Sequence, residues 1–316
     1  MILNKPKFWD LKNANFISYL LLPFTLMVYL NNFFQSLKAP KRNKDIKSIC
    51  VGNIYLGGTG KTPTTLEIFK ILINLNFKVA IGKKFYPSQK DERIILKNNS
   101  NLIISKTRRE ILEKAKKSKY DIIIFDDGLQ NKSIFYDLKI VCFDSQNWIG
   151  NGLLIPSGPL RESLNSLKNY DCIIVKENSK KKHEIINKIK KVNKRIKIFY
   201  SEVKIINLKR INKNKKYLIF SGIGNPNTFK NILLKNRIKI VKEFNFPDHY
   251  SYKKSDIIKI KKIATKMNLE IITTEKDYVK ISKSDQKNIK NLKVELNFKK
   301  EKNFINYLKS KINEKN

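Results

Sequence analysis

A short apolar run over 46–51 leads into Gly57-Gly58-Thr59-Gly60-Lys61-Thr62, and a helical pattern with Leu66, Phe69, Leu72 and Ile73 on one face follows. This order of strand, glycine-rich loop and helix constrains the chain more than any other stretch, because it is the arrangement that cradles phosphate. Glycines let backbone N–H groups turn inward, and the new helix aims its positive end at the same point. Lys61 then neutralises β- and γ-phosphates, and the Thr62 hydroxyl is placed to ligate Mg²⁺. The strict pattern has a glycine five residues before Gly60, where this chain has Tyr55. The competing reading is a glycine-rich turn that only caps a helix; the Gly-Lys-Thr ending argues against it.

A second element agrees with the first. Tyr120 to Phe125 reads as an apolar strand ending in Asp126-Asp127-Gly128-Leu129-Gln130. A carboxylate at the end of a strand beside the loop strand is where phosphoryl-transfer proteins hold or orient Mg²⁺. Adjacent carboxylates repel, so the pair points to a cation close by. The alternative is a solvated Asp-Asp-Gly turn.

The chain has 316 residues, enough for one large or two ordinary domains, and 66 basic against 27 acidic residues give a formal charge of +39. The lysines are spread evenly from Lys5 to Lys315, and no aromatic platform for nucleic acid accompanies them. The charge is therefore read as compositional drift with added attraction to anionic membranes, not as nucleic-acid binding. Cys50, Cys142 and Cys172 sit in strand-like contexts without paired spacing, so neither a disulfide framework nor a zinc site is suggested, and a reducing cytoplasm fits.

The segment from Phe16 to Leu30 is almost wholly apolar, is broken by Pro23, and has Lys5, Lys7 and Lys12 before it and Lys38, Lys41, Arg42 and Lys44 after it. Spanning a bilayer takes about 20 apolar residues, so this stretch is too short. No small-residue cleavage site follows it, which argues against a signal peptide. A helix lying in the membrane interface suits it better than a buried first helix.

Alternating strand and helix patterns imply an α/β fold with a mainly parallel sheet. Strands are expected at 46–51, 77–81, 102–105, 121–125, 138–143 and 172–175, and helices near 61–75, 107–118 and 181–191. Two extended segments, 196–200 and 203–208, read as a linker. A second alternation follows: strand 217–220, helix 226–235, strand 238–244, helix 255–267, strand 269–273 and a last helix near 301–312. This implies residues 1–35 as a membrane-associating helix, 36–200 as a P-loop core, and 201–316 as a smaller α/β lobe.

With those elements in place, an ordered set of motifs resembles the tetraacyldisaccharide 4'-kinases of lipid A synthesis. The set runs from Phe8-Trp9 through Val51-Gly52-Asn53, Gly-Gly-Thr-Gly-Lys-Thr-Pro63 and Asp-Asp-Gly-Leu-Gln at 126–130. It continues with Gly150-Asn151-Gly152, Pro156-Ser157-Gly158-Pro159-Leu160-Arg161-Glu162 and Ser221 to Pro226, then Phe246-Pro247-Asp248-His249 and Thr273 to Asp277. The resemblance implies a P-loop kinase using ATP and Mg²⁺, peripheral on the cytoplasmic face of the bacterial inner membrane. It also implies an acylated glucosamine disaccharide as acceptor and no obligate protein partner. Gly57, Gly58, Thr59, Gly60, Lys61 and Thr62 would hold the nucleotide, with Thr62, Asp126 and Asp127 serving the metal.

In that family an Asp of the first lobe and a His of the second act as the base pair. His249 matches the His, and Asp91 in Lys90-Asp91-Glu92 matches the Asp, with Asp126 or Asp127 as the alternative. His183, between Lys182 and Glu184, reads as a surface residue. Asn53, Glu92, Arg108, Gln130, Asn131, Arg161 and Glu162 are implied near substrate or nucleotide. Two departures stand out: Lys84-Phe85-Tyr86-Pro87 replaces Arg-Gly-Tyr-Gly, and Asn131 replaces a His. Those departures keep a non-catalytic homologue open as an alternative. A P-loop ATPase is another, whereas a GTPase would need an Asn-Lys-x-Asp motif that neither Asn178-Ser179-Lys180 nor Asn212 to Lys215 supplies.

Overall fold

The computed structural model describes residues 5–177 and 182–314, so Asn178-Ser179-Lys180 lies outside the described residues. Pro23 explains how the chain begins. Asn15 caps a short helix α1 (Phe16–Leu20) by accepting from the Ser18 amide, and helix α2 (Leu22–Ser36) restarts with the proline in its first turn, where the missing N–H costs nothing. No helix among the described residues is long and apolar enough to cross a membrane. Nor is α2 a buried first helix: none of its residues is buried, and Phe24, Leu26, Met27, Tyr29, Phe33 and Phe34 all face outward. It is tied down at one polar point, where the Asn32 amide donates to the Arg161 carbonyl at 2.8 Å.

The remaining elements alternate as expected. In order they are β1 (Lys47–Gly52), α3 (Lys61–Asn74), β2 (Val79–Lys84), α4 (Lys90–Asn99), β3 (Leu102–Ser105), α5 (Arg108–Lys117), β4 (Ile122–Asp126), β5 (Leu138–Asp144), β6 (Cys172–Lys176), α6 (Lys182–Val192) and β7 (Lys197–Ile205). Then come β8 (Lys216–Ser221), α7 (Pro226–Lys235), β9 (Lys239–Asn245), α8 (Lys254–Lys266), β10 (Glu270–Thr274), α9 (Glu275–Tyr278), β11 (Ile289–Leu292), β12 (Val294–Lys299) and α10 (Glu301–Asn313).

The chain divides into two compact units. The larger holds Pro6–Phe85, Asn99–Glu202 and Leu296–Asn316 around an eight-stranded sheet of order β12-β7-β6-β5-β1-β4-β2-β3, parallel from β3 through β7. Its central strands are apolar on both faces, as a sheet covered by helices on both sides requires; every residue of β4 is buried. Cys50, Cys142 and Cys172 are free and buried in this sheet. The order reverses at β1, so the carboxyl ends of β1 and β4 open beside each other, the usual place for a ligand in such a sheet.

The smaller unit has a parallel four-stranded sheet of order β11-β10-β8-β9. Phe229 and Leu233 of α7 pack in one apolar cluster with Tyr217 and Ile219, while Ile257, Ile260 and Ala264 of α8 pack in another with Leu218 and Phe220. Alternating residues of β8 thus face opposite layers, the period-two geometry of a strand.

Three features depart from expectation. The extended linker is one nine-residue strand, β7, paired with β6 from Lys197 to Ser201, because its backbone completes the larger sheet. The boundary expected at 200/201 falls after Glu202, but residues 86–98, expected in the P-loop core, belong to the smaller unit. Residues 296–316 return to the larger one, and the N-terminal segment from Pro6 clusters with it too, not apart from it. Finally α4, α9, β11 and β12 were not foreseen; α4 opens Lys-Asp-Glu-Arg and buries Asp91 and Glu92, a pattern that reads as solvent-facing.

Candidate active site

In the larger unit the phosphate loop is shaped by side chains from below. Gly60 takes φ 89° as the N-cap of α3 and Gly57 takes φ 142°, values that L side chains rarely adopt. A methyl on Gly57 would also meet the Tyr55 ring at 3.1 Å. Tyr55 is not among the residues with positive φ, so the glycine it replaces is not needed for backbone freedom. Its phenol is buried under the loop and donates to Asp10 Oδ1 at 2.6 Å.

Asn53, expected near substrate, is fully buried. Its amide donates to the carbonyls of Tyr55 and Gly57 and, at 3.0 Å, to Thr59 Oγ1, so it holds the loop instead of facing a substrate.

The two aspartates at the end of β4 have different surroundings. Asp126 is 2% exposed and accepts from Thr62 Oγ1 at 3.1 Å, Thr65 Oγ1 at 3.3 Å and the Lys83 ammonium at 2.7 Å. Asp127 takes the left-handed φ of 66° and points to Lys61 at 3.5 Å and Arg161 at 3.1 Å. Burial works to raise the Asp127 carboxyl, but Lys61, Arg161 and Lys83 overcome it and hold it at about 2. The Asp127 carboxylate therefore stays charged at neutral pH.

Arg161 Nη1 also lies 3.4 Å from Gln130 Oε1, and Gln130 Nε2 donates to Glu162 Oε1 at 2.9 Å. Glu162 in turn accepts from the Tyr170 phenol at 2.7 Å. Arg108, expected near substrate, is buried and donates to the Asp127 carbonyl; a methyl on Gly128 would come to 2.7 Å from its Nε. It buttresses the Asp-Asp turn. Asn131 spends its side-chain oxygen on the Ser133 amide and hydroxyl, so it closes the next turn.

A separate cluster lies in the smaller unit. His249 takes φ 57°, held in that left-handed conformation as its amide donates to the Gly222 carbonyl at 3.2 Å. A methyl on Gly222 would sit 3.0 Å from the Pro247 carbonyl and 3.1 Å from the Tyr252 hydroxyl, so this position is tightly packed. His249 Nδ1 lies 3.1 Å from both carboxylate oxygens of Asp91. The two residues are 158 positions apart, yet both belong to the smaller unit, so the expectation of one partner from each lobe is corrected. The reason is that the segment carrying Asp91 folds with the C-terminal sheet.

Burial disfavours charge on Asp91, but the His249 hydrogen bond and the charges of Lys276 and His249 outweigh it and lower the carboxyl. Burial works against the His249 imidazolium, yet bonding to Asp91 and the charges of Asp248 and Asp91 raise it. Glu92, expected to touch substrate, instead pairs with Lys276 at 2.7 Å. His183 is exposed, as a surface residue should be.

The sequence reading missed Lys83 and Lys276. Lys83 sits where an apolar strand residue is ordinary, and Lys276 lies inside the quoted Thr273–Asp277 motif without any sign that it faces Asp91.

The larger unit has the parts of a polyphosphate site: a glycine-rich loop, a lysine and a threonine at a helix start, and a carboxylate on the neighbouring strand. The protein is thus a P-loop NTPase-like α/β protein with a second α/β unit. The sequence profile of the tetraacyldisaccharide-1-P 4'-kinases (LpxK) matches residues 17–90 and 88–313. A tetraacyldisaccharide 4'-kinase of Pelagibacter ubique is 45% identical over 316 residues, covering 100% of both chains. One from Rickettsia akari is 37% identical over 309 residues, covering 92% of each. The crystal structure of LpxK from Aquifex aeolicus in complex with ATP shares the fold, with TM-score 0.71, 20% identity, and coverage of 94% of this chain and 99% of that one. The chain belongs to the tetraacyldisaccharide 4'-kinase family, and it is a kinase.

Proposed function

We propose that this kinase transfers the γ-phosphoryl group of ATP to the 4'-hydroxyl of a tetraacylated glucosamine disaccharide 1-phosphate in lipid A assembly. The observation that carries the reading is a full-length relative at 45% identity in a chain that has both an intact phosphate loop motif and a hydrogen-bonded Asp91–His249 couple.

Little covalent chemistry falls to the protein in phosphoryl transfer; positioning and charge do the work. The loop amides from Gly57 to Gly60 and the Lys61 ammonium hold the phosphates, with Arg161 placed to neutralise charge as it develops. Thr62 and Asp126 offer hard oxygen donors, which suit Mg²⁺ held by one or two protein groups together with phosphate oxygens. When bound, Mg²⁺ supplies further neutralisation at those oxygens. Asp91, kept ionised, accepts the proton of the sugar hydroxyl, while His249 fixes the carboxylate and its charge. The apolar face of α1 and α2 enters the cytoplasmic leaflet of the inner membrane, bringing the enzyme to a lipid head group.

Incubating the purified protein with γ-labelled ATP, Mg²⁺ and detergent-dispersed disaccharide lipid tests this directly. Label on the lipid at the 4' position is expected; release of labelled phosphate with unlabelled lipid would leave only an ATPase.

A further inference from the structure

Lys83 is 2% exposed, as deeply buried as the core phenylalanines around it. An ammonium in such a place needs a partner, since desolvating an unpaired charge is prohibitive. β2 delivers it: the strand pairs with β4 up to Gly82 opposite Phe125, and the next residue on each strand is Lys83 and Asp126. The ammonium sits 2.7 Å from Asp126 Oδ2, the same oxygen that accepts from Thr62 Oγ1 at 3.1 Å. The one carboxylate oxygen that faces the threonine of the phosphate loop is therefore already shared with a fixed internal cation.

We propose that Lys83 is a positioning residue that acts as a built-in competitor of the divalent cation at Asp126, setting how much metal the kinase requires. It holds the Asp126–Thr62 contact assembled without an ion, and an arriving cation has to share Oδ2 with an ammonium that cannot leave through solvent. The structure gives Lys61 no such role, because that ammonium lies 3.5 Å from Asp127 and is positioned for phosphate. The inference rests on the proposed role of Asp126 toward the metal.

The test is Mn²⁺ binding to the full-length protein in detergent, followed by electron paramagnetic resonance in the presence of a non-hydrolysable ATP analogue. Lys83→Met removes both charge and donor; Lys83→Gln removes the charge and keeps a donor, which covers the case in which the Met variant fails to fold. Both are expected to bind Mn²⁺ about tenfold more tightly than wild type, since one positive charge at contact distance is gone. Without metal they should melt earlier, and Mg²⁺ should restore part of that loss. Unchanged or weaker Mn²⁺ binding in a folded variant would overturn the proposal, because a merely structural lysine lowers stability without tightening the metal. Asp126→Asn separates the two levels of the argument. Weakened Mn²⁺ binding supports the metal role, and unchanged binding would remove that role and the Lys83 inference with it.

Discussion

The phosphate loop of the larger unit and the Asp91 cluster of the smaller one are both charged, mostly buried and rich in hydrogen bonds, yet they are built differently. The loop cluster joins a continuous stretch, residues 53–62, to the end of β4, with Lys83, Arg108 and Arg161 added from other parts of the larger unit. Its cations (Lys61, Lys83, Arg108, Arg161) outnumber Asp126 and Asp127. Such a place attracts a polyanion. The Asp91 cluster is made of side chains alone. Its acids Asp91, Glu92 and Asp248 outnumber Lys276 and His249, so it holds a carboxylate ionised and fixed without drawing phosphate. On the proposed function the contrast makes binding and proton removal separable, and mutations should divide them.

The largest effect is expected from Lys61→Ala, which removes the loop's mobile charge and should reduce transfer by about 10³-fold while weakening nucleotide binding. Near-normal turnover in a quenched-flow assay would break the assignment of the loop. His249→Gln should lower kcat by about 10²-fold and leave ATP affinity, read by fluorescence titration, as in wild type. If ATP affinity fell in parallel, the division between the clusters would be lost.

Lys276→Met sharpens the contrast through pH. Asp91 is faced by His249, Lys276 and Glu92, and its carboxyl is held below the ordinary 3.8. A depressed carboxyl keeps its useful charge until pH falls through that low value. Removing the Lys276 ammonium raises it, so the acid limb of the kcat/KM profile should move to higher pH, with Lys276→Arg restoring it. An unmoved limb would show that Asp91 is not the titrating base.

The smallest effect on chemistry is expected from Phe24→Ser with Met27→Ser. Binding to vesicles containing anionic lipid should drop several-fold, following the loss of about 25 cal/mol per Å² of apolar contact, with transfer to a detergent-dispersed acceptor unchanged.

The same contrast explains what could be read in advance. The loop was legible because one motif writes strand, glycines, lysine and threonine in consecutive positions, and β4 was legible because four apolar residues run straight into two aspartates. The Asp91–His249 contact was not derivable from pattern: neither residue has a local signature, and only the family motif Phe-Pro-Asp-His named the histidine. Its partner lies on a helix of ten residues whose polar opening reads as solvent-facing, in a segment that folds with a sheet more than a hundred residues later. Lys83 illustrates a third kind of failure. A lysine at the end of an apolar strand carries no mark of burial until the neighbouring carboxylate is seen 2.7 Å away. Asn53, Glu92 and Arg108 fell near the right residues for a different reason, since they shape the clusters without facing outward from them.

The central claim, that the loop holds the nucleotide and Asp91 is the base of the transfer, is tested most directly by single-turnover transfer in Asp91→Asn preloaded with γ-labelled ATP. The account predicts saturable ATP binding at wild-type affinity and a phosphoryl transfer step slowed by about 10²-fold or more. Wild-type transfer rates in that variant would contradict it.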